Sequence, residues 1–426
     1  MNNRKLILGI LCVLIIAAAT APSVVAQSLV SGDVTGTITD PSNAVLPNVT
    51  VTLKSDTTGE SRNTTTNQAG SYRFSLLKPG PYTISVAAQG FNKIERPVTV
   101  ATGQATVSNI QVTVGSTSQT IEVTSAAPIV QADNADVSTS FDQSQITNLP
   151  NPGSDMTYVA QTAPGVTMNV SSGYGNFSSN GLPATANVFT VNGENNMDPY
   201  FNINNSGATN LMLGQNEIQE ATVVASPYSG QYGQQAGAQV TYITKSGTND
   251  FHGNASYWWN GRTMNANDWF ANNSGTPRPF SNNNQWAASI GGPIKKNKTF
   301  FFVDTEGLRY ILPTVQQVFT PTAEFQANIL NNLATGNAQQ QASIPLYQQL
   351  FKVFNNAPGI SRATVLTGSC GDYTGLTSGN CIAQYTATAG QLSSEWILAG
   401  RLDQNFSDND RVFFRYRMDR GDQATY

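Results

Sequence analysis

A chain of 426 residues has room for two to four domains of about 100–200 residues each. Only 11% of its residues are charged and its net charge is −4, so no basic patch dominates and nucleic acid is not the partner. One histidine and three cysteines exclude most zinc sites, His-based triads and cysteine-rich frameworks, and 39% apolar content argues against a helical membrane bundle.

The N-terminus has the layout of a secretory signal peptide. Asn2-Asn3-Arg4-Lys5 supplies a positive start, Leu6 to Ala19 an apolar stretch, and Val24-Val25-Ala26 the small residues before a cleavage site at Gln27. The apolar run is shorter than the ~20 residues a membrane span needs, and Pro22 follows it, so residues 1–26 read as a cleaved signal. Cys12 lacks the preceding small residues of a lipoprotein signal. Cleavage leaves Cys370 and Cys381 in a Gly/Ser/Thr-rich stretch, where in an oxidising compartment they could staple a small loop, worth about 3 kcal/mol on the chain-entropy model.

From about Leu29 to Val114 the chain reads as short alternating strands separated by turns. Val34–Thr39, Val49–Leu53, Ser71–Leu76, Tyr82–Val86 and at least one strand within Val98–Val114 are punctuated by Asp40-Pro41, Thr58-Gly59, Pro79-Gly80 and Gln89-Gly90. Alternation places Tyr72, Phe74 and Leu76 on one face and Tyr82, Ile84 and Val86 on another. This predicts a β-sandwich. Gly36-x-Ile38-x-Asp40, Asn67-Gln-Ala-Gly70-x-Tyr72-x-Phe74, Pro79-Gly80-x-Tyr82-Thr83 and Gly90-Phe91 resemble the carboxypeptidase regulatory-like domain, a transthyretin-like module with no catalysis of its own.

Residues 125–246 are richer in Asn/Gly turns. Val188–Val191 enters the turn Asn192-Gly193, Ile218–Ala225 reads as a strand, and Tyr232-Gly233-Gln-Gln-Ala-Gly237 leads into the strand Gln239–Lys245. These segments resemble the plug domain of TonB-dependent outer-membrane transporters, in the Oar-like branch that carries a regulatory-like domain in front. Asn192, Gly193, Tyr232, Gly233 and Gly237 match its recurrent signatures. One departure stands out: where many members have Arg-Gly-Pro, this chain has Ala225-Ser226-Pro227, so the ionic contact from that arginine to the barrel cannot be transferred.

Residues 247–426 alternate in a way that suits a membrane barrel. Phe251, Ala255, Tyr257 and Trp259 share one face against His252, Asn254 and Asn260. Phe301 and Val303 oppose Phe300, Phe302, Asp304 and Glu306. Leu398 and Leu402 oppose Arg401 and Asp403, and Val412, Phe414 and Tyr416 oppose Arg411, Arg415 and Arg417. Strands of about ten residues, apolar outward and polar inward, joined alternately by long and short links, are the signature of a transmembrane β-barrel. Here Ser289-Ile-Gly-Gly-Pro293, Lys298-Thr-Phe-Phe-Phe302 and Arg401-Leu-Asp-x-Asn-Phe-Ser407 resemble Oar-like barrel segments. About five strands cannot close a barrel, which takes about eight or more, so the chain is expected to be the N-terminal part of a longer transporter.

The expected fold is therefore mainly β: a transthyretin/Ig-like sandwich (29–114), a linker (115–124), an α+β plug (125–246) and the first strands of an incomplete barrel (247–426). The resemblance implies a non-enzymatic receptor in the outer membrane of a Gram-negative-type bacterium, without cofactor or metal. It implies assembly by the barrel machinery, and uptake of a scarce or bulky small-molecule, oligosaccharide or peptide ligand energised by TonB with ExbB and ExbD. Thr120, Ile121, Glu122, Val123 and Thr124 look like a TonB box, a β-prone tether able to pair with a TonB strand. Tyr174, Phe177, Tyr200 and Phe201 are candidate ligand contacts at the plug apex. His252 reads as an ordinary polar residue facing the barrel interior. The competing reading is a secreted or surface β-sandwich adhesin or carbohydrate-binding protein without transport.

Overall fold

A computed structural model of the chain describes residues 30–115, 120–122, 137–168, 177–227, 232–267, 269–273, 277–407 and 410–424. The segment read as a signal peptide lies outside them.

The alternating N-terminal runs form two facing sheets. β1 (Gly32–Thr39), β4 (Ser71–Leu77), β7 (Ala105–Val107) and β8 (Ile110–Gln111) make one; β2 (Thr50–Ser55), β3 (Ser61–Thr65), β5 (Gly80–Ala87), β6 (Lys93–Val100) and β9 (Thr120–Glu122) make the other. Because successive strand residues point to opposite faces, Val34 and Ile38 meet Val51, Leu53, Ile84 and Val86 in a shared dry core. The expected face Tyr72–Phe74–Leu76 is corrected at its last member. The β1–β4 register shifts between Gly32 and Val34, Leu76 takes φ 58° and is 51% exposed, and Leu77 fills the core at 1% exposed. The bulge inserts one residue and so reverses the alternation after it.

The middle of the chain builds a five-stranded sheet in the order β10 (Ser138–Asp142), β15 (Ile218–Val224), β16 (Gln239–Thr244), β13 (Val188–Val191), β14 (Glu194–Asn195). β13 and β16 run parallel; the other pairs are antiparallel. A hairpin of β11 (Val166–Met168) and β12 (Phe177–Ser179) lies beside it. Helix α1 (Gln143–Asn148) follows β10 directly and is started by a capping box between Asp142 and Gln145. Phe141, Phe177, Phe189, Met212 and Tyr242 form its core.

The C-terminal strands form an antiparallel meander: β17 (His252–Gly261), β18 (Asn282–Lys295), β19 (Thr299–Pro321), β21 (Ile382–Asn405) and β22 (Arg411–Gln423), with the short β20 (Thr364–Val365) on β21. Among the described residues no pairing joins β22 to β17, so the sheet is open. Tyr257, Val303, Leu402, Phe414 and Tyr416 are all exposed on its outer face, the apolar belt of a barrel wall. Strand length departs from the expected ten or so residues. β19 and β21 have 23 and 24 residues, about 75 Å at 3.3 Å per residue, far more than a ~30 Å hydrocarbon layer requires. The segment joining their far ends carries α2 (Ala323–Ala334), α3 (Ala338–Ala342), α4 (Ile344–Asn355) and the Cys370–Cys381 disulfide, whose Cα atoms are 4.8 Å apart.

Candidate interface between the central sheet and the barrel strands

Strand alternation brings the scarce charges of the C-terminal region onto one face. Asp304 and Glu306 on β19, Glu395, Arg401 and Asp403 on β21, and Arg415 and Arg417 on β22 all point inward. Asp304, Glu306, Glu395 and Asp403 are each at most 2% exposed. A buried carboxylate is tolerated only with donors to satisfy it. The central unit provides them for the first three, and Asp403 takes Lys78 of the sandwich and Arg401 of its own strand. Asn216 Nδ2 donates to Asp304 Oδ1 at 2.6 Å, Gly214 N–H to Glu306 Oε2 at 2.6 Å, and Thr209 N–H and Oγ1 to Glu395 Oε2 at 2.8 and 2.6 Å.

Ionic links cross the same boundary. Glu217, 3% exposed, accepts Arg415 Nη2 at 2.7 and 2.9 Å and lies 3.6 Å from Arg417 Nε. Arg417 Nη2 also donates to Leu213 O at 2.9 Å. Lys245, at the end of β16, donates to Asn216 O at 2.8 Å. Burial pushes its ammonium down, opposed by the neighbouring Asp304 and Glu306 carboxylates. Apolar contact across the boundary is small, with Leu213 set between Leu308 and Ile397. The missing arginine near residue 225 thus coincides with a link of opposite polarity, an acid on the central unit and arginines on the wall. The sequence reading found these inward charges except Glu395, but not their partners Thr209, Gly214, Asn216 and Glu217. The available signal was the concentration of charges on one strand face in a chain only 11% charged.

The sequence-predicted residues fall in several places. Asn192 (φ 51°) and Gly193 (φ 83°) form the tight turn from β13 to β14, left-handed at both positions as an Asn-Gly hairpin turn requires. Asn192 also binds Thr244, its Oδ1 accepting Thr244 N–H at 3.0 Å. At Gly237 a Cβ would stand 2.6 Å from Ala186 O, so only glycine allows that backbone approach. Gly233 has no such constraint, since a Cβ there meets open space. The Tyr232 hydroxyl lies on the side of the sandwich, 3.9 Å from where a Cβ of Gly103 would stand.

One expectation needs correction. Phe177 is no apex contact: it is fully buried, edge-on to Phe189 at 5.8 Å, because β12 turns it into the core. The Thr120–Glu122 part of the segment read as a TonB box is held in a sheet here. It pairs in parallel with Lys93–Glu95 as the edge strand of the sandwich, where the unpaired backbone groups of β6 recruit a β-prone segment. Tyr174, Val123 and Thr124 lie outside the described residues. Tyr200 and Phe201 are 89% and 71% exposed in a loop organised by Asp198, whose Oδ1 accepts both of their N–H groups at 2.8 Å. Asn202 ties this loop to Thr185 O at 2.7 Å, near the start of β13 and away from the Asn192 turn. His252 is exposed, its Nδ1 3.2 Å from Thr248 Oγ1. Among the described residues no group of three or more His, Cys, Asp or Glu side chains is placed to hold a metal.

Comparison with known proteins bears on this arrangement directly. Residues 243–426 match the family model of an outer membrane beta barrel domain, and residues 33–114 that of a carboxypeptidase regulatory-like domain. The TonB-dependent transporter Oar of Myxococcus xanthus is 26% identical over 286 residues. Over those residues the chain is a homologue of Oar. It is an outer-membrane protein. The match takes in 64% of this chain and 26% of Oar, so the chain spans about a quarter of that relative's length. Solved structures similar to it include the outer membrane transporter YddB of Escherichia coli (13% identity, 63% of this chain and 32% of that one, TM-score 0.34). Another is the ferric enterobactin receptor PfeA of Pseudomonas aeruginosa (15% identity, 63% and 33%, TM-score 0.31).

Proposed function

We propose that this Oar homologue acts in TonB-energised uptake of a scarce or bulky ligand, with residues 125–246 as the plug and residues 247–426 as barrel wall around it. The observation that carries the reading is the seating of segment 209–217 on the inward carboxylates of β19 and β21. A small mixed sheet held inside an apolar-out strand wall by hydrogen bonds has the build of a movable stopper. Its contacts can be exchanged for water when it shifts. The reading assigns no catalytic role to the chain. Ligand contact falls to Tyr200 and Phe201, both exposed in the loop held by Asp198.

TonB, working with ExbB and ExbD, would take the segment Thr120–Thr124 by strand addition, which requires Thr120–Glu122 to leave β6. Ile121→Pro removes a backbone donor from that strand. The solubilised protein is expected to retain the C-terminal domain of TonB on a column, and the Ile121→Pro variant to lose it. Equal recovery from both would remove the segment from the mechanism. The adhesin reading is not favoured, because the exposed apolar belt on β17–β22 suits lipid and not water.

A further inference from the structure

The sandwich is anchored on the side of the short strand turns, and one of its anchors runs through the barrel wall into the plug. Lys78, in the turn between β4 and β5, donates to Asp403 Oδ1 at 2.7 Å. The same carboxylate takes Arg401 in a fork, Nε at 2.8 Å and Nη2 at 3.0 Å. Arg401 then reaches the plug, its Nη1 donating to Thr244 Oγ1 at 2.8 Å and to Thr244 O at 3.2 Å. The face of Phe413 lies 4.5 Å from the guanidinium carbon.

Other contacts hold the sandwich down around this chain. Arg411 donates to Glu60 Oε2 and to Leu76 O, both at 3.1 Å. Thr102 N–H donates to the buried Glu220 Oε1 at 2.7 Å, and Asn249 N–H to Thr57 O at 3.1 Å. A cavity of about 390 Å³ remains where the three parts meet, lined among others by Ser55, Tyr82, Asn192, Thr244, Arg401 and Phe413. The sandwich forms its roof.

We propose that Lys78, Asp403, Arg401 and Thr244 form a latch that couples seating of the N-terminal sandwich to seating of the plug. Asp403 is 2% and Arg401 8% exposed with the sandwich in place. Lifting the sandwich removes Lys78 and admits water to the fork. In higher dielectric the Arg401–Asp403 pair weakens and the guanidinium loses its fixed aim at Thr244. The coupling is reciprocal: a plug withdrawn from Arg401 leaves the fork less ordered and Lys78 with a poorer partner. The regulatory-like domain is then a strap on the plug. The latch rests on the reading of residues 125–246 as a plug but needs neither TonB nor any particular ligand, so loss of TonB binding would leave it standing.

The test uses the protein in its own membranes. Thr57→Cys with Asn249→Cys reports sandwich seating as disulfide yield, and amide exchange at Gln239–Thr244 reports plug seating. Lys78→Met, and independently Lys78→Gln, should lower the disulfide yield and speed exchange at Thr244 by about tenfold. Arg73→Met, which removes an exposed sandwich cation paired to Asp33, should change neither. A lowered disulfide yield with unchanged exchange would overturn the coupling and leave a domain that is merely docked. An unchanged disulfide yield in both Lys78 variants would overturn the latch itself.

Discussion

The link between Glu217 and Arg415 offers the sharpest test of how the proposed plug, residues 125–246, is held against the strand wall. Glu217 is 3% exposed, and both its oxygens accept the same Arg415 nitrogen. Glu217→Gln keeps the shape and one acceptor but removes the charge. Arg417 retains Asp419 at 3.3 Å, whereas Arg415 is left buried without its carboxylate. Breaking one side of a buried pair costs about 3–5 kcal/mol, mostly from the stranded partner. Arg415 is 16% exposed, so we take the lower end, about 3 kcal/mol, or roughly a hundredfold in the equilibrium between seated and displaced plug. The assay is protease cleavage within the plug of membrane-embedded protein, for Glu217→Gln, Arg415→Gln and the double variant. Because the double variant strands no charge, it should be less exposed to cleavage than the two single effects predict when added. The cycle should return a coupling of about 2 kcal/mol. A coupling below about 0.5 kcal/mol would refute the reasoning and make the pair an incidental surface contact.

Other expectations follow from the same geometry. Burial raises the Asp155 carboxyl from 3.8 to about 6, against the Thr157 hydroxyl and N–H that lower it. The folded plug therefore holds this proton more tightly than the unfolded chain. The stabilisation is present below about pH 4 and is lost as pH rises through 6, a swing of about 3 kcal/mol. Asp155→Asn should flatten this part of the pH profile, and a wild-type-minus-variant stability difference constant from pH 4 to pH 7 would contradict it. In the sandwich, Leu77→Ala should cost about 2–4 kcal/mol and Leu76→Ala under about 0.5 kcal/mol by thermal unfolding, an order that the plain alternating pattern would invert. Gly237→Ala sets a methyl 2.6 Å from Ala186 O and should destabilise the plug by about 1–3 kcal/mol in the protease assay, whereas Gly233→Ala, facing open space, should not.

What the sequence made legible was whatever depends on period and on nearest neighbours. A two-residue repeat separates outward, exposed Phe414 and Tyr416 from inward Arg415 and Arg417 without knowledge of any partner. The Asn192-Gly193 turn is local chemistry and could be read as such. Partners far apart in sequence could not be read: Arg415 and Glu217 are separated by 198 positions, Lys78 and Asp403 by 325. The period itself misled wherever something local broke it. The bulge at Leu76 shifted the face by one residue, and the Gly-rich approach to Phe177 concealed a core strand. For Thr120–Glu122 the residue types were right for strand pairing, but the partner is decided by which open edge lies nearest, here β6.

The distribution of charge suits the proposed plug, which has to be both held and moved. The core within the central sheet is apolar, built on Phe177, Phe189, Met212 and Tyr242, and opening it would cost about 25 cal/mol for every Å² exposed. Across the boundary to the wall the apolar part is reduced to Leu213, Leu308 and Ile397, and the remaining grip is made by carboxylates, amides and guanidinia. Each of those bonds contributes only about 1 kcal/mol net, or somewhat more with a charge, because water replaces it when the surfaces part. On the proposed reading the plug shifts as a rigid body along that seam while its own core stays closed. Fixed charge positions also define where it reseats, since a carboxylate buried against the wrong donor is penalised more heavily than a methyl out of place. In this chain the polar seam, rather than the apolar core, is where an applied force would do its work.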